Sequence, residues 1–165
     1  MMFKSLFKKV NQSIILNAPL EGTFVLLEEV PDQVFSEKMM GDGVAILPQN
    51  NRLVSPIDGE VVDVFPTKHA ISLRSNEGAE LLIHMGLETV NLKGEGFEIN
   101  VKNGDKISKG TQLGIFDIEK IKKLGYEVIT PIILLNGNHY EISHRIQQGE
   151  AVNHSDLIME LRKKG

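Results

Sequence analysis

Two of the five histidines sit where an ionisable ring is least expected. His84 lies inside the apolar run "GAELLIHMG" (78–86), and His69 inside "TKHAISLRS" (67–75). Alternate residues of a strand face opposite sides. Leu82 and His84 therefore share one face, and Leu81, Ile83 and Met85 the other. In the preceding segment His69 falls with Ile71 and Leu73, with Thr67 two residues back on the same face. The link "SNEGAE" is short, so the two segments are expected to pair as an antiparallel hairpin with His69 opposite His84. Directly opposed side chains have Cβ atoms roughly 4.5–5.5 Å apart. Two imidazoles would then face one another at the mouth of an apolar patch, with Gly86 leaving room for something to approach.

Such a pair supports three chemistries. It supplies two metal ligands, where a structural zinc site takes four and a catalytic one three; Glu141 is a candidate third. It could work as general acid and base, although no nucleophile is evident beside it. Alternatively, one imidazole is itself the nucleophile and the other its support. A neutral ring near pH 7 attacks through one nitrogen while the other is oriented by a hydrogen bond. The neighbouring ring donates to the phosphoryl oxygens. Thr67 would orient a ring or contact phosphate, and Thr89 is a weaker candidate. Each histidine taken singly could also be a satisfied, partly buried residue with no chemistry.

The elements that must hold these residues read as β. Short apolar segments alternate with Gly, Pro, Asn and Asp, as in "VSPIDGEVVDVFP" and "YEVITPIILLN". That pattern predicts an all-β fold, an antiparallel sandwich or barrel, with "NEGA" and "NGDK" as turns. Only "DIEKIKKLG" (117–125) reads as a helical turn or two, stopped by Gly125. The final "SDLIMELRKKG" fits strand or helix. "APLEGTFV" (18–25) and "SPIDGEVV" (55–62) form a weak repeat, which suggests a duplicated hairpin unit and pseudo-symmetry. "VKNGDKISKGTQLG" reads as a further hairpin, like those of biotinyl and lipoyl carrier domains.

The chain has 165 residues and suits one domain, over 13–165. It contains no cysteine, which removes disulfides and thiolate chemistry. With no tryptophan and two tyrosines it lacks stacking platforms for bases. Net charge is −4, and the first ten residues hold three lysines and no acid. The rest carries 15 basic against 22 acidic residues, which argues against nucleic acid as a partner. Residues 1–12 read as an N-terminal tail, either disordered or a basic amphipathic segment able to touch an anionic membrane. No apolar run spans a bilayer and no secretory signal is evident, so a cytoplasmic protein, monomeric by default, is expected.

"GAELLIHMGLETVNLKGEGF" (78–97) resembles the signature of the glucose-type Enzyme IIA components of the bacterial phosphoenolpyruvate-dependent sugar phosphotransferase system. "PTKHA" (66–70) is similar to that family's second histidine segment, and "MMGDGVAI", "VSPIDG" and "ITPIILLN" resemble others. The likeness runs in order from about Ala18 to the C-terminus. It implies an antiparallel β-sandwich and a phosphotransferase component. His84 would carry the phosphoryl group on Nε2, His69 would help pass it on, and Thr67 would support the pair. The donor would be the histidine phosphocarrier protein, HPr, and the acceptor a IIB domain of a membrane sugar permease. The resemblance implies no required cofactor, and zinc at His69 and His84 only at a contact with a regulatory partner.

Docking two carriers in turn calls for apolar surface around the histidines, and Val44, Ile46, Phe65, Ile83 and Met85 are candidates by position. Family members often flank the phosphorylated histidine with aromatic residues, where this chain has Ile83 and Met85. Asp42, Glu88 and Glu95 could meet a basic ring on a carrier. His139, His144 and His154 match no motif and read as surface or structural. Two competing readings are a zinc peptidase of related architecture, weakened by the absence of any His-x-His, and a regulatory module that kept the fold without the chemistry.

Overall fold

Each repeat segment enters a strand at a glycine, and the two glycines meet the same environment. Gly22 opens β2 (Gly22–Leu26) and Gly59 opens β5 (Gly59–Val64) in the computed structural model, which describes residues 13–165. A Cβ on Gly22 would lie 2.0 Å from the Leu47 carbonyl oxygen, and one on Gly59 would lie 2.0 Å from that of Arg74. The neighbouring strand thus comes too close for any side chain at either position. The strands before them are β1 (Ser13–Asn17) and β4 (Arg52–Val54). They exchange equivalent bonds: Asn17 N–H donates to Pro56 O at 3.1 Å, and Val54 N–H to Pro19 O at 2.9 Å. The spacing that carries Gly22 to Gly59 also carries Asn17 to Val54 and Pro19 to Pro56.

The remaining strands are β3 (Gly43–Pro48), β6 (Ala70–Ser75), β7 (Glu80–His84), β8 (Phe97–Ile99), β9 (Lys106–Ile107) and β10 (Gln112–Phe116), then β11 (Thr130–Leu134), β12 (Tyr140–Arg145), β13 (Ala151–Val152) and β14 (Leu157–Lys163). One eight-stranded sheet runs β13-β2-β3-β11-β7-β6-β5-β9. Two three-stranded sheets run β1-β14-β12 and β4-β10-β8. All described pairings are antiparallel, and the sheets do not close into a barrel. The order repeats on either side of the central β11–β7 pair, so the pseudo-symmetry expected from the repeat extends to the topology.

The main core fills the space between the large sheet and the two small ones. Phe24, Ile46, Leu73 and Ile83 enter it from the large sheet, and Leu16, Leu53, Phe116 and Leu161 from the small ones. A second, smaller cluster lies on the other face of the large sheet. There Val25, Ala45, Ala70, Leu82 and Ile133 pack under Leu27, Val30 and Phe35. Leu27 belongs to a 3-10 turn (Leu27–Glu29) that Val30 closes, and Phe35 to the short helix α1 (Gln33–Ser36). The Asp32 carboxylate caps α1 by accepting from Val34 N–H. The expected helical turn is α2 (Ile118–Lys123), capped by Asp117 through Lys120 N–H, with Gly125 beyond it at φ +93°.

One reading of the chain needs correction, and one left open is settled. "VKNGDKISKGTQLG" is not a hairpin, because β9 joins the edge of β5 while β10 lies between β8 and β4. Its turn residues move the chain from one sheet to another instead of folding a strand back on itself. The C-terminal segment is a strand, with Ile158, Met159 and Leu161 all buried. Among the described residues no helix is long and apolar enough to cross a membrane. The N-terminal tail, 1–12, lies outside the described residues.

Candidate functional site

The β6–β7 hairpin closes around Asn76, Glu77 and Gly78, with Ser75 N–H bonded to Ala79 O. That turn fixes the register. Ala70 stands opposite His84, and Met85 N–H donates to His69 O at 2.8 Å. The expected His69–His84 register is therefore off by one residue. The rings nevertheless meet, with centroids 4.9 Å apart and planes at 80°.

The reason lies in the turn before β6. Pro66 takes the second place of a turn in which Lys68 N–H donates to Phe65 O at 2.7 Å. Lys68 is left-handed at φ +59°. His69 thus stands in a bend before the strand begins and escapes the strand's alternation. Its ring joins His84 on the outer face of the large sheet, not Ile71 and Leu73 in the main core.

Each ring is anchored through Nδ1. His84 Nδ1 lies 2.7 Å from the Gly86 carbonyl oxygen, an acceptor only, so Nδ1 carries the proton and Nε2 keeps its lone pair. His69 Nδ1 lies 2.7 Å from Thr67 Oγ1. Phe35 packs against His84 with centroids 5.0 Å apart and planes tilted by 58°, and Phe65 meets His69 edge-on at 5.6 Å. His69 is buried at 4% exposure, while His84 is half-buried. Burial, and secondarily the neighbouring His84, pull His69 down from its ordinary pKa to about 4. Burial also lowers His84, opposed by the Gly86 carbonyl and the Asp32 carboxylate. Both rings are neutral near pH 7.

The structure brings together His84, His69 and Thr67. Four of the five docking candidates belong elsewhere. Val44, Ile46, Ile83 and Met85 are fully buried in the main core, because strand alternation turns them inward while His84 points out. Phe65 is half-buried beside His69. The exposed apolar side chains near the site lie on and just past α1: Val34, Met39 and Met40 at 41, 70 and 40% exposure. Phe35 and its helix were not read from the sequence; the signal was Pro31-Asp32 ahead of an apolar pair.

The acidic candidates also divide. Asp42 is tied to Arg145 and Lys38, and Glu95 to Lys120. Glu88 lines a cleft of about 420 Å³ together with Asp32, Leu87, Tyr126 and Glu127. Glu141 lies on β12 in a small sheet, paired with Arg162, and is no third ligand for the histidines. Among the described residues no cluster of three or more His, Asp or Glu side chains could hold a metal. Thr89 is buried and donates to Met85 O at 2.6 Å, so it does not point at the imidazoles as a phosphate contact.

Residues 14–140 match the family described as phosphoenolpyruvate-dependent sugar phosphotransferase system, EIIA 1. A glucose-specific EIIA component of Halalkalibacterium halodurans is 50% identical over 144 residues, 82% of this chain and 83% of that one. One from Oceanobacillus iheyensis is 45% identical over 163 residues, 97% and 99% of the two chains. The solved structure of glucose permease IIA from Mycoplasma capricolum superposes with a TM-score of 0.83 at 36% identity, covering 92% of this chain and 97% of that one. Fold and sequence together make this chain a component of a sugar phosphotransferase system. Within that system it belongs to the EIIA 1 family.

Proposed function

We propose that the chain relays a phosphoryl group on His84. The neutral Nε2 attacks the phosphorus of phosphorylated HPr; the new N–P bond forms as the donor's N–P bond breaks, leaving the electron pair on the donor nitrogen. The reverse geometry then hands the group to a IIB domain of a sugar permease. The carrying observation is the Nδ1–Gly86 contact, which directs the His84 lone pair to Nε2 beside His69. It also stabilises the positive ring formed when Nε2 is phosphorylated. With the Thr67 hydroxyl donating to His69 Nδ1, His69 presents Nε2–H to a phosphoryl oxygen. The apolar surround of Phe35 and Phe65 keeps water from the N–P bond.

Docking is assigned to the outer face: Val34, Met39, Met40 and Phe65, with the Asp32–Glu88 cleft meeting a basic side chain of the donor. The relay is proposed to work in the cytoplasm and to require no cofactor. His69 and His84 supply two nitrogen ligands of the right softness for zinc, so a zinc ion there would need its other ligands from a partner chain. A weak membrane contact through residues 1–12 completes the proposal, and liposome binding unchanged on deleting them would remove it.

The test is intact mass after incubation with phosphoenolpyruvate, Enzyme I and HPr, followed by addition of a IIB domain. The wild type should gain one acid-labile phosphoryl group and His84→Ala none. His69→Ala should charge but transfer poorly. A wild type that gains no mass would overturn the relay.

A further inference from the structure

The contact that frees Nε2 is made by a backbone carbonyl, and a carbonyl is only as well aimed as its peptide plane. Around His84 two successive planes are pinned. The Gly86–Leu87 peptide is held at both ends: Gly86 O accepts from His84 Nδ1 at 2.7 Å, and Leu87 N–H donates to Glu127 O at 3.1 Å. The Met85–Gly86 peptide is held by the Thr89 hydroxyl, which donates to Met85 O at 2.6 Å. Thr89 is fully buried and has no other role in the relay as described. Gly86 sits at φ +80°, and a Cβ there would lie 2.6 Å from Thr89 Cγ2 and 2.7 Å from Glu127 O. The left-handed Glu88, at φ +57°, turns the chain so that Thr89 folds back over Met85.

We infer that Thr89 is a positioning residue whose hydroxyl, through Met85 O and the Gly86 peptide, keeps the proton of neutral His84 on Nδ1. This deepens the relay reading, and rests on it for the claim that Nε2 is the reacting atom. Without the hydroxyl, the Met85–Gly86 plane loses its buried partner and is free to rotate. Gly86, lacking a Cβ, offers little resistance to that rotation. The Gly86–Leu87 peptide is then held only from its far side, by Leu87 N–H on Glu127 O, so its carbonyl is aimed less firmly at Nδ1 and the two neutral tautomers of His84 approach each other in energy.

The test compares Thr89→Val, which keeps the shape and deletes the hydroxyl, with Thr89→Ser, which keeps the hydroxyl. Imidazole ¹⁵N shifts of the unphosphorylated protein at neutral pH report the tautomer whether or not the relay itself is right. Wild type and Thr89→Ser should show His84 protonated on Nδ1; Thr89→Val should show a mixture. Phosphoryl acceptance from HPr should fall ~10- to 100-fold in Thr89→Val, as when the group orienting a liganding imidazole is lost, and recover in Thr89→Ser. If Thr89→Val does not fold, Thr89→Ala reads the same shifts. A hydroxyl-free variant that keeps the Nδ1–H tautomer would overturn the inference. So would a Thr89→Ser protein that loses it, since the methyl group would then be the active part.

Discussion

His69 and His84 meet nearly at right angles, centroids 4.9 Å apart, although His84 stands opposite Ala70 in the ladder. The approach depends on the Phe65–Lys68 turn, which lets His69 leave strand geometry. One ring is fixed by a backbone carbonyl and the other by a hydroxyl, so the two nitrogens that face the opening differ in kind. The one on His84 is a lone pair, and the one on His69 is a donor once Thr67 donates to Nδ1.

That asymmetry makes Thr67→Val informative. The His69 proton should redistribute between its nitrogens, and phosphoryl transfer from His84 to a IIB domain should slow by roughly 10- to 100-fold. Acceptance from HPr should change less. Rapid-quench kinetics of the two half-reactions separate these effects.

Acid should weaken both folding and the relay. His69 titrates at about 4 in the folded chain against 6.5 unfolded. Between those values the unfolded state binds more protons, so stability rises with pH and its full value is present above about 6.5. It is lost as pH falls towards 4, by up to about 3 kcal/mol for this ring. His84 acts in the same direction. Urea midpoints measured from pH 7.5 to 4 should fall more steeply for wild type than for His69→Gln.

Gly86→Ala should damage both fold and function. Its φ of +80° alone costs ~1–3 kcal/mol for a side-chain-bearing residue. The new methyl also meets Thr89 Cγ2 and Glu127 O at under 3 Å. A lower melting temperature together with loss of phosphorylation on His84 is expected.

Core and surface should separate cleanly. Ile83→Ala opens a cavity in the main core and should cost ~2–5 kcal/mol while leaving HPr affinity near normal in the folded fraction. Met39→Ala, at 70% exposure, should change stability by less than ~0.5 kcal/mol. It should raise the KM for HPr several-fold. Thermal melts and steady-state transfer assays measure the two.

Much of this was legible in the chain. Turn residues and alternation marked the strands, the repeated glycine marked the duplication, and two histidines flanking one turn marked the site. The hidden parts have local causes. Hairpin register hung on a single residue of turn length at Gly78. The face of His69 was decided by a left-handed lysine, which carries no compositional signal. Burial of Ile83 and Met85 followed from the same alternation that put His84 outside, so adjacency in sequence was the wrong guide to the docking face. Phe35 reaches His84 across nearly fifty positions, a contact that only the folded sheet creates.

The matched halves of the sandwich give the molecule an internal control. Gly22 and Gly59 face the same obstacle at the same distance, as two copies of one instruction. The chain is laid out like a fused dimer whose halves meet at β7 and β11. The halves differ at the proposed relay, since β7 ends in His84 while β11 carries no histidine. Comparing mirrored substitutions in the two halves would separate what folding demands from what the histidine pair demands.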